Sequence, residues 1–175
     1  RLMQMLTPRD LTEMYVGQCY YVPIVDETGG MLNDPVAVKI SDDHWWVSIA
    51  DSDLLYWVKG IANGWRLDVL VDEPDVSPLA VQGPKSDDLM ADVFGDEVRN
   101  IRFFRFKKLE FNNQAFIVAR SGYSKQGGFE IYVEGDHNAM PLWNALFEAG
   151  KKYNVYAGCP NLIERIEGGL LSYGN

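Results

Sequence analysis

Cysteine and histidine are scarce in this chain, with two residues of each. Cys19 and Cys159 cannot build a disulfide framework, and His44 and His137 lie far apart in polar stretches. We therefore expect neither a disulfide-stapled scaffold nor a metal site. The cysteine–histidine pairings also lack an orienting residue, so the sequence does not suggest a nucleophilic triad.

A basic stripe and a long apolar run are also missing. The net charge of -9 argues against a nucleic-acid partner. The absence of a signal peptide and of a membrane-spanning run predicts a soluble cytoplasmic protein with reduced thiols. The one basic cluster, Arg99 to Lys108, contains phenylalanines that could stack on bases, but its period-two pattern favours a strand with one buried face.

The composition favours a folded domain. A 47% hydrophobic fraction over 175 residues is enough for one domain with a substantial core. The apolar pattern predicts the following elements: strands at 18–25, 31–40, 45–50, 66–71, 79–81, 101–111, 114–120 and 128–134, and helices from Ser52 to Gly64, 86–94, 140–153 and 161–168. Because strands and helices do not alternate strictly, we expect an α+β fold with mixed or antiparallel sheets and packed helices.

Residues 121–133 form the most informative segment: a strand end, a glycine-rich turn and a new strand. Glu130 stands between Phe129 and Ile131, so its side chain should point to the opposite face of the sheet. A single acid among apolar and aromatic neighbours suits a polar heterocycle, and Gly127-Gly128 would let backbone approach a ligand closely. A hairpin with a solvated glutamate is the alternative interpretation.

A second informative segment, residues 18–40, is typical of a hairpin that turns at Asp26–Gly30. Pro35 cannot donate to a ladder, so it should mark an edge or a bulge that re-aims Asp34. Taken alone, the Asn33-Asp34-Pro35 corner favours a simple turn acid at Asp34.

Together the two segments resemble the folate-binding T-protein family, the aminomethyltransferases of glycine cleavage and their relatives. The family's turn of two glycines, two apolar residues and two acids is similar to Gly29–Asp34, and its glycine-rich motif is similar to Gly122–Glu130. Three further stretches resemble family motifs in the same order: Gln82-Gly83-Pro84, Leu142–Gly150 and Glu164–Gly174.

The resemblance implies tetrahydrofolate as the cofactor and a set of site residues. Asp34 matches the catalytic aspartate, and Glu130 matches the glutamate that holds the pteridine ring. Arg165 matches an arginine that could hold a carboxylate. Tyr21 and Tyr123 are the aromatic members of the predicted cofactor-binding set, and three other aromatic residues are candidates for the pocket wall: Tyr20, Trp45 and Trp46.

Three departures from the usual aminomethyltransferase pattern narrow the expectation. Ser124-Lys125-Gln126 replaces Thr-Gly-Glu, Gly158–Asn161 replaces Gly-Ala-Arg-Asp, and Asn33 replaces an acid. These features resemble the branch that demethylates dimethylsulfoniopropionate in marine bacteria, which implies methyl transfer from a small-molecule sulfonium to tetrahydrofolate. The alternatives are an aminomethyltransferase acting on a lipoyl carrier protein and a folate-binding regulatory or assembly protein without catalysis.

The ends of the chain carry one more expectation. The sequence begins at Arg1 in an apolar stretch and ends at Asn175, directly after a Tyr-Gly pair. Against the family pattern, residues 1–175 are expected to be a folate-binding domain truncated at both ends, without the C-terminal barrel domain. Apolar surface left uncovered would favour a homodimer.

Overall fold

Residues 1–49, 54–159 and 162–170 are described in a computed structural model of the chain. They fall into two units, one over residues 1–74 and one that begins at Asp75. Every strand pairing among the described residues is antiparallel, and helices accompany the sheets in both units. The predicted α+β class is therefore confirmed.

The first unit contains two small sheets. Strands β1, β4 and β5 form one sheet in the order β1-β4-β5, and β2 pairs with β3. The bounds of its elements are α1 Leu2–Leu6, β1 Cys19–Tyr21, β2 Ile24–Val25, β3 Met31–Asn33, β4 Val36–Lys39, β5 Trp45–Ser48 and α2 Leu54–Gly64.

The predicted strands at 18–25 and 31–40 are each broken in two, and Pro35 explains the break. Tyr21 lies opposite Val36 and Ile24 lies opposite Asn33, so the same register continues on both sides of the gap. Between them the Val22 N–H still donates to the Pro35 carbonyl, but Pro35 has no N–H to donate in return, which interrupts the ladder. Pro35 thus marks an interruption as predicted, whereas the register shift lies at Ile24/Val25.

Helix α2 ends at Gly64 as predicted, and its buried face carries Leu54, Val58 and Ile61 against Leu6 and Ile24. Its proposed cap, Ser52, lies outside the described residues.

The predicted strand at 66–71 is wrong. The Leu67 N–H bonds back to the Ala62 carbonyl, and Arg66 has a φ of 51°, so the chain turns instead of extending. Leu70 is 87% exposed, which shows that this apolar run is not a buried strand.

The second unit is built on one four-stranded sheet in the order β6-β9-β8-β7. Its elements are β6 Val76–Gln82, α3 Ser86–Phe94, a 3₁₀ helix Asp96–Asn100, β7 Phe106–Phe111, β8 Gln114–Ala119, β9 Gly128–Glu134, α4 Asp136–Gly150, a 3₁₀ helix Lys151–Tyr153 and α5 Leu162–Glu167.

One face of this sheet packs on α3 and α4. The core between them comprises these buried residues: Leu89, Met90, Leu109, Phe116, Val118, Phe129, Ile131, Val133, Leu142 and Leu146. Because side chains alternate along a strand, the neighbours of Phe129 and Ile131 in β9 are directed to the other face of the sheet. That second face carries Glu130.

Two predictions in this unit need correction. The strand predicted from residue 101 starts at Phe106, because Phe104 has a φ of 53° and Phe103 is 72% exposed; the basic cluster is thus only partly a strand. The helix predicted from Met140 starts at Asp136, because Asn138 bonds to the Gly135 carbonyl and the Glu134 carbonyl and so begins the first turn earlier. No helix in the described residues is long and apolar enough to cross a membrane.

Candidate functional site: a strand carboxylate and the loop before it

Glu130 lies between two small residues on the second face of the sheet. It is paired with Ala80 in β6 and with Ala119 in β8. Neither neighbour places a large side chain against the half-buried carboxylate, and Ala80 is exposed whereas Ala119 is buried. The face on which Glu130 lies is the one that the sequence predicted.

Ser121 holds one oxygen of this carboxylate. Its hydroxyl donates to Glu130 Oε2 at 2.5 Å, and Ser121 itself is buried. Ser121 is the second residue after β8, so the hydrogen bond joins the start of the loop to the strand that follows it. No other hydrogen bond to the Glu130 carboxylate occurs among residues 1–49, 54–159 and 162–170. The second oxygen is therefore available to a ligand.

Gln82, at the end of β6, ties both ends of the loop together. Its Nε2 donates to the carbonyl oxygens of Ser121 and Phe129, both at 3.1 Å. Its Oε1 accepts a hydrogen bond from the Ser124 hydroxyl at 2.7 Å. The amide orientation follows from chemistry, because only nitrogen can face two carbonyl oxygens. Gln82 thus uses both ends of its amide on the loop that precedes Glu130.

The glycine-rich turn is explained by this packing. A Cβ on Gly128 would lie 2.3 Å from the Val81 carbonyl oxygen, and a Cβ on Gly122 would lie 2.1 Å from Gln82 Oε1. Both glycines have positive φ, at 145° and 156°. The expectation that the glycine pair serves close approach of a ligand therefore needs revision at Gly128, whose close neighbour is the backbone of β6.

The loop also contacts helix α5. Gln126 Nε2 donates to both carboxylate oxygens of Glu164 at 3.0 Å, and Lys125 Nζ approaches the Glu167 carbonyl at 3.4 Å. Residues 124–126 are those at which the sequence departs from the usual aminomethyltransferase motif. Each of them makes a specific contact within the second unit, so all three take part in holding the loop.

Arg165, on α5, is a buried cation that makes no ion pair with any residue that the structure describes. The residue is 9% exposed, and its side-chain hydrogen bond to the Leu170 carbonyl is long at 3.4 Å. Its Nε has no hydrogen-bond partner among the described residues. Its suggested local partner, Asn161, lies outside the described residues. A buried guanidinium is stable only when an anion or several acceptors compensate its lost hydration.

Asp34 and Tyr21 lie together in the first unit. The Tyr21 hydroxyl donates to Asp34 Oδ2 at 3.4 Å, and both residues are half-buried. They are diagonal neighbours on one face of the hairpin, because Tyr21 is opposite Val36 and Asp34 precedes Val36 by two positions. The structure thus pairs two residues that the sequence had proposed separately.

The predicted site residues therefore form two groups. Tyr21 and Asp34 belong to the first unit. Glu130, the half-buried Tyr123 of the loop, and Arg165 belong to the second, where loop residues connect β9 with α5. Among the described residues, no cluster of three or more histidine, cysteine or acidic side chains could hold a metal ion.

Two residues of this region were missed by sequence reasoning. Gln82 was used only as part of a Gln-Gly-Pro turn, and Ser121 only as the start of the loop. The sequence signal for Gln82 was an amide directly after a predicted strand. Its partners are 39 to 47 positions away along the chain. Local patterns do not reveal contacts over such distances.

The antiparallel sheet, the glycine-rich loop and the strand glutamate are the features that the T-protein motifs predicted. The GCVT N-terminal domain model matches residues 1–175, and the chain belongs to that family. The resemblance to the T-protein family drawn from the motifs is confirmed.

Individual relatives refine the comparison. Over 175 residues the chain is 66% identical to dimethylsulfoniopropionate demethylase DmdA of Ruegeria pomeroyi, covering 100% of this chain and 48% of that protein. It is 30% identical over 180 residues to an aminomethyltransferase of Caldanaerobacter subterraneus subsp. tengcongensis, covering 99% of this chain and 48% of that protein. The chain thus spans about half the length of the curated relatives it matches.

A solved structure supports the fold. Glycine cleavage system aminomethyltransferase T from Bartonella henselae superposes with a TM-score of 0.77 at 20% sequence identity. The match covers 97% of this chain and 46% of that one. At this identity the likeness shows the fold alone, and the fold it shows is the T-protein fold expected from the motifs.

Proposed function

We propose that the protein to which this chain belongs is a tetrahydrofolate-dependent enzyme that demethylates dimethylsulfoniopropionate. The observation that carries the proposal is the 66% identity to the demethylase over the whole chain, against 30% to an aminomethyltransferase over a similar span. The departures at Asn33 and at residues 124–126 favour the same branch.

The geometry around Glu130 fits a reduced folate. The pterin ring is flat and presents neighbouring N–H donors at one edge, which suit a carboxylate with an available oxygen. Ala80, beside Glu130, is small and exposed, and Ser121 holds one of the two carboxylate oxygens. Charge-assisted hydrogen bonds from the ring would therefore compensate the half-buried charge.

When bound, tetrahydrofolate supplies a nucleophilic ring nitrogen that accepts a methyl group and loses a proton. The sulfonium carbon–sulfur bond breaks with its electron pair remaining on sulfur, which leaves methylthiopropionate. Since the sulfonium methyl is already activated, the protein needs chiefly to align the reactants and exclude water. In this proposal Asp34 orients the nitrogen or accepts its proton, and the Tyr21 hydroxyl holds Asp34.

The charges of the substrate give the remaining residues their roles. Dimethylsulfoniopropionate carries a soft cation and a carboxylate. Aromatic faces attract such cations, which is the role proposed for the rings of Tyr21 and Tyr123. The buried guanidinium of Arg165 is proposed to bind a carboxylate, because it has no ion pair among the described residues.

The proposal extends to context. We assign residues 1–175 to a folate-binding domain that acts in the cytoplasm on a small-molecule sulfonium. A homodimer is the proposed assembly.

The second candidate is a glycine-cleavage aminomethyltransferase that acts on a lipoyl carrier protein. The aminomethyltransferases among the relatives favour it, as does the fold. One assay separates the two: the product of the whole gene is mixed with tetrahydrofolate and with either dimethylsulfoniopropionate or an aminomethyl-lipoyl carrier. Methyl-tetrahydrofolate from the sulfonium alone is the expected result. Methylene-tetrahydrofolate from the carrier, without methyl transfer, would overturn the proposal.

A further inference from the structure

We infer that Gln82 is the positioning residue for the folate-binding carboxylate of Glu130. The inference rests on the proposed function, and it assigns a role to a side chain that would not itself touch the ligand. Gln82 contacts three parts of the chain on which the carboxylate depends: the Ser121 carbonyl at the start of the loop, the Ser124 hydroxyl in its middle and the Phe129 carbonyl at the start of β9.

The route from Gln82 to the carboxylate is short. Gln82 Nε2 holds the Ser121 carbonyl at 3.1 Å, and the hydroxyl of the same serine donates to Glu130 Oε2. The second Nε2 hydrogen bond holds the carbonyl of Phe129, the residue directly before Glu130. Both the donor to the carboxylate and the backbone that bears it are thus held by one amide group.

The surroundings of Gln82 make this role specific for an amide. Gly122 and Gly128 have no Cβ at the two places where one would come within 3.0 Å of the Gln82 side chain. The third contact, from Ser124 to Oε1, requires an acceptor at the other end of the same group. A residue must therefore offer two donors and one acceptor within a narrow space, as a glutamine amide does.

The position also explains how the loop is held as a whole. Arg120, directly before Ser121, pairs with Asp87 of α3 at 2.9 Å and stacks over the Phe129 ring at 4.4 Å. Gln126, near the other end, bonds to Glu164 of α5. Gln82, which is opposite Gly128 in the sheet, supplies an attachment between these two, next to the residue that precedes Glu130.

The test compares two substitutions of nearly the same size in the product of the whole gene. Gln82→Met fills the space but has no donors, and Gln82→Glu keeps the shape but sets an oxygen against two carbonyl oxygens. Equilibrium binding of tetrahydrofolate under anaerobic conditions is the readout. We expect the dissociation constant to rise about tenfold for Gln82→Met, because the two hydrogen bonds donated to the Ser121 and Phe129 carbonyls are lost. It should rise further for Gln82→Glu, because a carboxylate oxygen also repels those two carbonyl oxygens.

Two controls separate positioning from general stability. Val118→Ala opens a cavity in the core on the other face of the sheet. Its folate affinity should stay near that of the wild type, even when it is compared with a Gln82 variant whose thermal midpoint falls by the same amount. Gln114→Glu makes the same chemical change at the β7–β8 turn and should have no effect. Ser121→Ala should also raise the dissociation constant, because the route from Gln82 to the carboxylate runs through the Ser121 hydroxyl, and an unchanged constant in this variant overturns the inference even if a Gln82 variant does not fold.

The outcomes are distinguishable. If the wild type binds tetrahydrofolate and the Gln82 and Ser121 variants bind it equally well, this inference is overturned while the proposed function stands. A loss no larger than that of Val118→Ala at matched stability would also overturn it, since it would reveal a purely structural role. A wild type that does not bind tetrahydrofolate would overturn the proposed function, and the inference with it.

Discussion

Tyr21 and Asp34 are joined by a hydrogen bond of 3.4 Å across a hairpin whose ladder is interrupted beside them. The interruption comes from Pro35, which lies opposite Val22: the Val22 N–H donates to the Pro35 carbonyl at 2.9 Å, but Pro35 has no N–H to donate in return. Asp34 therefore lies at a point of the hairpin where the regular strand pairing is interrupted. This is the carboxylate to which the proposed function gives the work on the folate nitrogen.

We predict that Asp34→Asn and Asp34→Ala reduce methyl transfer about 10²-fold to 10⁴-fold, if the carboxylate does proton work. The thermal midpoint should change little, because Asp34 is half-buried at a strand interruption and not part of the core. Turnover and thermal unfolding of the product of the whole gene measure both. Asp72→Asn removes the same charge from an exposed coil residue and serves as the control. Near-normal turnover in Asp34→Ala would refute the catalytic role.

Glu130→Gln should weaken tetrahydrofolate binding by about 1.5–3 kcal/mol, since the amide keeps the shape but loses charge-assisted acceptance. Calorimetric titration gives the dissociation constant directly. Glu134→Gln is the matched control, because Glu134 is an exposed residue of the same strand. An unchanged constant in Glu130→Gln would mean that Glu130 is only a strand residue facing solvent.

Arg165→Gln should raise KM for dimethylsulfoniopropionate more than tenfold. The KM of Arg165→Lys should lie between those of the wild type and Arg165→Gln, because lysine keeps the charge but lacks the bidentate geometry. Steady-state kinetics at saturating tetrahydrofolate measure this effect. Titration of tetrahydrofolate in the same variants shows whether the carboxylate belongs to the cofactor instead. Arg102→Gln, an exposed arginine of the same unit, is the control. If neither constant changes, Arg165 does not bind a ligand.

The turn at Asp26 should make the stability depend on pH. The Thr28 side chain and the backbone N–H groups of Thr28 and Gly30 donate to Asp26, and they hold the pKa of its carboxyl below the ordinary value of 3.8. A lowered folded-state pKa means that the stabilisation is complete above 3.8 and is lost as the pH falls through the folded-state value.

Asp26→Asn should therefore be less stable than the wild type near neutral pH, and the difference should shrink at acid pH. Urea unfolding at about pH 6 and about pH 3 gives the comparison. A difference that grows on acidification would show that the sign of this linkage is wrong.

Gly128→Ala should destabilise the second unit by more than about 3 kcal/mol, because it adds a clash with the Val81 carbonyl oxygen to the cost of a positive φ. Gly29→Ala is the matched variant: it also has a positive φ, but its added Cβ would have nothing within 4 Å. It should cost only about 1–2 kcal/mol. Equal free energies of unfolding for the two variants would contradict the role assigned to the contact with β6.

Some elements could be predicted from local patterns and others could not. Helix α3 follows from its apolar spacing and from Gly95, which ends it. The strand expected at 66–71 had a suitable composition, but it pairs with no strand of the described part of the chain, and the chain turns at Arg66. Similarly, the apolar residues before Phe106 read as a strand because alternation alone does not show where pairing with Ala119 begins.

The sequence by itself determined the family, the α+β class, the hairpin with its glycine turn and the face on which Glu130 lies. Each of these depends on neighbours along the chain: a two-residue period, a turn residue or an ordered motif. The tertiary structure decided which side chains meet: Tyr21 with Asp34, Ser121 with Glu130, and Gln82 with a loop about 40 positions away. Such contacts depend on strand order and register, and these are settled only when the sheet forms and its helices pack.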